Sequence, residues 1–133
     1  MSSVLSVWCT FDVEMLHCWP DAPMKVFYLR YPHRHIFKFR VELAVSHSDR
    51  DIEFILKKAE LKRLIEGRYR LMTDNIESKM IEGVDLDTLE SWVPSYSCED
   101  WANVILSADS SVISVECSED GENGGTVRRL QVV

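Results

Sequence analysis

Histidine holds metal ions near neutral pH through whichever ring nitrogen carries no proton. His33 and His35 stand two apart in the run Tyr31-Pro32-His33-Arg34-His35-Ile36-Phe37-Lys38-Phe39-Arg40-Val41-Glu42-Leu43-Ala44-Val45. The run alternates as a β-strand does. His33 and His35 therefore share a face with Phe37, Phe39, Val41, Leu43 and Val45, while Arg34, Lys38, Arg40 and Glu42 take the other. A third histidine comes from upstream. Leu5, Val7, Cys9, Phe11, Val13 and Met15 form the apolar face of a strand over Val4 to Leu16, and the next step in that register is His17. If the two strands pair antiparallel, the end of the first lies beside the start of the second, and His17, His33 and His35 converge. Three neutral imidazoles with one position left open make a catalytic zinc arrangement, which polarises a substrate oxygen or activates water. Strand-end histidines with ordinary hydrogen bonds are the alternative.

The elements that must position these residues follow from periodicity and punctuation. Residues 18–32 are too many for a tight hairpin turn, and Pro20, Pro23 and Pro32 stiffen them, so an ordered flap over the histidines is expected. Its Trp19, Phe27, Tyr28 and Tyr31 could sandwich a heterocycle or simply pack the loop down. Ile55, Leu56, Ala59, Leu64 and Ile65 fall near helical spacing, with Gly67 as a C-terminal stop. Tyr69 to Thr73 reads as extended, and Asp85 to Trp92 as a short helix ending before Pro94. Ser97 and Asp100 form a capping box for a helix whose apolar face is Trp101, Val104, Ile105 and Ala108. Val112 to Cys117 alternates as a third strand, Ser118 to Gly125 as a solvated turn, and Thr126 to Val132 as a fourth strand. This order predicts a single α+β domain over residues 1–133, an antiparallel four-stranded sheet with helices on one face.

Charge and cysteine usage narrow the partners. Asp and Glu outnumber Lys and Arg by 22 to 15, and the net charge of -7 argues against general binding to nucleic acid or anionic membranes. No apolar run approaches membrane-spanning length, and the N-terminus lacks the basic region of a signal peptide. Cys9, Cys18, Cys98 and Cys117 show no CxxC pair, which fits reduced thiols and a cytoplasmic setting.

Taken together, the motifs resemble the 6-pyruvoyl- and 6-carboxy-tetrahydropterin synthases of the tunnelling fold. That family has a histidine ending its first strand and a His-Gly-His opening its second, and His17 and His33-Arg34-His35 occupy those places. Glu53-Phe54, Glu60-Leu61-Lys62 and Ser97-Cys98-Glu99-Asp100-Trp101-Ala102 are similar to its helix starts, and Ile113-Ser114-Val115-Glu116 to the end of its third strand. The resemblance covers most of the chain outside residues 68–94. It implies zinc on His17, His33 and His35, lyase chemistry on a pterin or purine-derived heterocycle, and a homo-oligomeric barrel, trimer or hexamer. It also implies that Glu116 accepts two parallel N–H bonds from a guanine-like edge. From the residues alone, Glu116 is equally a solvated strand-end carboxylate.

Arg34 replaces the family's Gly but points away from the site, and two catalytic features are absent. Leu29 stands where the family carries its catalytic Cys, and residues 68–80 offer Asp74 but no histidine for the family's Asp-His pair. Cys18 beside His17 is a weak substitute nucleophile, and Asp74 and Glu14 are weak substitute bases. A non-catalytic pterin- or nucleotide-binding protein on the same scaffold is therefore the second reading.

Overall fold

A computed structural model describes residues 4–73 and 93–130. Strand β1 (Ser6–His17) pairs antiparallel with β2 (His33–Ala44), and the register joins the two apolar faces. Phe11 sits opposite Phe39 with the rings stacked 4.9 Å apart, Val13 opposite Phe37, and His17 opposite His33. Strand β3 (Val112–Glu119) lies along the other side of β2, and β4 (Asn123–Arg128) lies beyond it. The sheet is open and antiparallel throughout, in the order β1-β2-β3-β4. The α+β expectation holds in that form.

Helices α1 (Phe54–Thr73) and α2 (Cys98–Ala108) pack on the same face of the sheet. α1 crosses β1, while α2 lies over β3 and β4. Their Leu61, Ile65, Trp101 and Ile105 are fully buried against Phe37, Phe39, Val41, Leu43 and Val115. Each large apolar side chain buried in this way contributes about 1.5–3 kcal/mol. The opposite face is polar. Cross-strand pairs Asp12–Lys38 and Arg40–Glu116 and the diagonal pair Glu14–Arg34 run over it, and the Arg40 guanidinium stacks on exposed Trp8.

Three local expectations are corrected. α1 does not stop at Gly67 but runs on to Thr73, so Tyr69 to Thr73 is helical rather than extended. A mid-helix glycine costs about 1 kcal/mol. Here Tyr69 and Met72 continue the stripe begun by Leu61 and Ile65, and tertiary packing outweighs that cost. Ile55 and Leu56, placed on the apolar face by spacing, are exposed. The last hairpin is also tighter than its composition suggests, since Glu119 already pairs with Asn123. Asp120 and Gly121 both take positive φ, 58° and 76°, as the central residues of a type I′ turn must. The helix expected over Asp85 to Trp92 lies outside the described residues. Among the described residues, no helix is long and apolar enough to cross a membrane.

Candidate metal centre

The β1–β2 ladder places His17 directly across from His33, and the strand period places His35 next along the same face. One nitrogen from each ring comes within 4.8 Å of the others. The convergence expected from register is therefore present.

What each ring does with its other nitrogen decides what the cluster is suited for. His33 donates Nδ1–H to the Tyr31 carbonyl at 2.7 Å. His35 donates Nδ1–H to the Asp120 carboxylate at 2.6 Å. His17 hydrogen-bonds the backbone of Tyr96, while its own Nδ1 faces His33 Nε2 at 3.2 Å. Burial lowers the pKa of His17 to about 4, helped by the other two imidazoles and opposed by the Tyr96 bond, so the ring is neutral at pH 7. In a neutral imidazole whose one N–H is committed outward, the remaining nitrogen presents a lone pair. His33 and His35 keep Nε2 uncommitted on the inner side, and the neutral His17 ring adds a third donor nitrogen. Donation of the outer N–H to a carbonyl or carboxylate is how proteins orient histidine ligands.

The tight β3–β4 hairpin supplies the carboxylates. Asp120 accepts from the Ile36 backbone N–H at 2.9 Å through Oδ1 and from His35 through Oδ2. The Ile36 bond first, and His35 second, hold its carboxyl below the usual carboxylate range. Asp120 N–H in turn donates to the Ile36 carbonyl at 2.8 Å, so the turn is latched to β2 beside His35. Glu119, one residue earlier, brings Oε2 to 3.4 Å from His35 Nε2.

An open cavity of about 400 Å³ lies over the cluster, lined by His17, His33, Trp19, Leu29, Cys98 and Glu119 among others. This is the size of a small-molecule site. The flap is ordered as expected. Trp19 N–H donates to the Leu29 carbonyl at 2.8 Å, Arg30 Nε donates to the Ala22 carbonyl at 2.7 Å, and residues Met24–Arg30 form 3-10 turns kinked at Val26. Cys98 enters the wall because the Ser97–Asp100 capping box, present as read from sequence, starts α2 there. A hydrogen bond from Cys117 holds the Cys98 thiol below its usual range despite burial, and that bond together with burial raises Cys117.

The other residues singled out by sequence lie elsewhere. Glu116 points to the outer face of the sheet, 3.9 Å from Arg40, in a surface hollow with Asp12, Lys38 and Thr126. Within one chain it does not line the histidine cavity. Glu14 is on that outer face too, paired with Arg34. Cys18 is fully buried and gives its Sγ–H to the Val93 carbonyl at 3.6 Å, which anchors the start of the flap. Asp74 lies outside the described residues. Sequence reading left Glu119 and Asp120 in a solvated turn, with a cation site weighed and set aside, and gave Cys98 no role beyond the helix start. The period-2 signal was available for Glu119, because Val115 and Cys117 are core residues and two further steps along that face is Glu119. No protein-family model matches the chain, and no curated protein matches it either.

Proposed function

We propose that the chain is a zinc-dependent enzyme of the pyruvoyl- and carboxy-tetrahydropterin synthase type, a divergent tunnelling-fold protein acting on a pterin or purine-derived heterocycle in the cavity over the histidines. The observation that carries the metal reading is the arrangement of lone pairs. Each of the three rings commits one nitrogen to an outer partner and turns the other inward, where facing nitrogens are relieved of repulsion by a shared proton or by a metal cation bonded to both. The donor set, all imidazole nitrogen, suits zinc among common ions. Zinc on such a set supplies Lewis-acid polarisation of a substrate oxygen. The chain's own residues bind and enclose: Trp19 and Leu29 wall one side of the cavity, Cys98 and Glu119 another. The family resemblance, not the geometry, carries the heterocycle and the lyase chemistry.

A second reading, a non-catalytic pterin or nucleotide binder, is favoured by Leu29, which puts an apolar side chain into the cavity wall where the family has its thiol. One sequence of measurements separates the readings. Metal content of the purified full-length protein and of His33→Ala comes first. About one zinc per chain, lost in the variant, is expected, and a metal-free wild type would sink both the enzyme and the site. Incubation of the zinc protein with dihydroneopterin triphosphate then follows, where product formation is expected. Saturable binding without turnover would replace the enzyme by the binder.

A further inference from the structure

We infer that Glu119 is a fourth protein ligand to the metal in the substrate-free state, completing a three-histidine, one-carboxylate centre in which a substrate oxygen would take the place of the carboxylate. The inference rests on the metal reading above and goes beyond it. Two carboxylates approach His35, and the structure gives them different roles. Asp120 accepts the Nδ1–H hydrogen bond and is fixed by the Ile36 backbone, so it orients the ring. Glu119 faces the opposite nitrogen, Nε2, with Oε2 at 3.4 Å. Glu119 thus reaches the ring nitrogen that Asp120 leaves uncommitted, the one a metal would use. An ion between them would be bonded by both.

Two of the distances fit this role. Zinc bonds of 2.0–2.2 Å to nitrogen and oxygen in tetrahedral geometry place neighbouring ligand atoms about 3.3 Å apart. The His35–Glu119 separation of 3.4 Å and the His17–His33 separation of 3.2 Å each match one edge of such a tetrahedron, while the three histidine atoms span up to 4.8 Å, so the rings and the carboxylate would draw in on binding. Among the described residues, His35 is the only ionic partner of Glu119. The side chain also lines the cavity. The strand geometry makes the placement firm, because Glu119 is the last residue of β3, in register with Phe37, and the Asp120-Gly121 turn follows at once.

The test uses the full-length protein with cobalt(II) as a visible probe and zinc affinity measured by chelator competition. Wild type, Glu119→Ala and the isosteric Glu119→Gln are compared, and unfolding of the metal-free proteins checks that each is folded. If Glu119 is a ligand, cobalt wild type shows an intense tetrahedral spectrum that changes in both variants, and zinc affinity falls at least 10-fold. Identical spectra and affinities in wild type and Glu119→Gln overturn the inference while leaving the three-histidine site intact. A wild type that binds neither ion overturns the metal reading and the inference with it. Should Glu119→Ala fail to fold, Glu119→Gln reads the same outcomes.

Discussion

At the scale of single residues, the three histidines were legible because a strand's period of two is rigid. Counting from Met15 reaches His17, and counting back from Phe37 reaches His35 and His33. The carboxylates were less legible because their placement depends on how tightly the last hairpin turns. A Gly-rich acidic stretch reads as a solvated loop until Asp120 and Gly121 are seen to close it with positive φ. Asp120 would then act on a bound metal only through His35. Replacing it by Asn removes the charge that orients the ring, and a carboxylate partner of this kind is worth about 10–100-fold in metal affinity. Asp120→Asn is therefore expected to weaken zinc binding by that factor without abolishing it, as measured by chelator competition. An unchanged affinity would mean that the 2.6 Å contact orients nothing.

At the scale of elements, local signals succeeded where the structure is local and failed where packing decides. The capping box at Ser97 and Asp100 involves residues three apart and formed as read. Gly67 is a local stop signal that the α1 stripe through Tyr69 overrides, and Tyr69 Oη accepts the Leu16 N–H at 3.0 Å from the end of β1. That bond ties the helix to the strand carrying His17. A second tie is long-range and ionic. Lys57 on α1 donates to Asp109 just after α2 at 2.8 Å, and Ser111 donates to the same carboxylate through both N–H and Oγ–H. Burial would raise the Asp109 carboxyl, but the Lys57 and Ser111 bonds outweigh it and hold the group below its ordinary range. The Asp109 bond raises Lys57. The sign of the pH dependence follows. The Asp109 contribution is fully present above the unfolded carboxyl value of about 3.9, and it is lost as pH falls through the lower folded value. The Lys57 contribution is present below its ordinary 10.5 and is lost as pH rises through the raised one. Asp109→Asn is expected to cost about 1–3 kcal/mol at pH 7. In urea unfolding the gap to wild type should narrow on acidification below about pH 4. A gap that stays constant would remove the ion pair from the account.

At the scale of the whole molecule, the sheet divides the work between its faces. One face carries the core, the helices and, at its end, the histidines. The other is an ion-paired surface with Trp8 exposed, and β1 and β4 are the outer strands of the open sheet. The four strands and their antiparallel order were legible because alternation is strong in each. How copies of the chain associate is not a property of periodicity, and the barrel rests on resemblance. If that assembly forms, light scattering on the purified protein should give the mass of a trimer or hexamer. A monomer at micromolar concentration would remove the barrel and return Glu116 to the role of an outer-face ion-pair partner. The pairing of His17 with His33 has a consequence for folding as well as for binding. Slipping β1 by one residue against β2 would turn His17 to the far side of the sheet together with the whole apolar face of its strand. Only the correctly aligned hairpin can present three imidazoles to one ion. The metal would therefore serve as a proofreader of strand alignment, releasing misaligned chains and retaining aligned ones by the loss or gain of a single chelating arm.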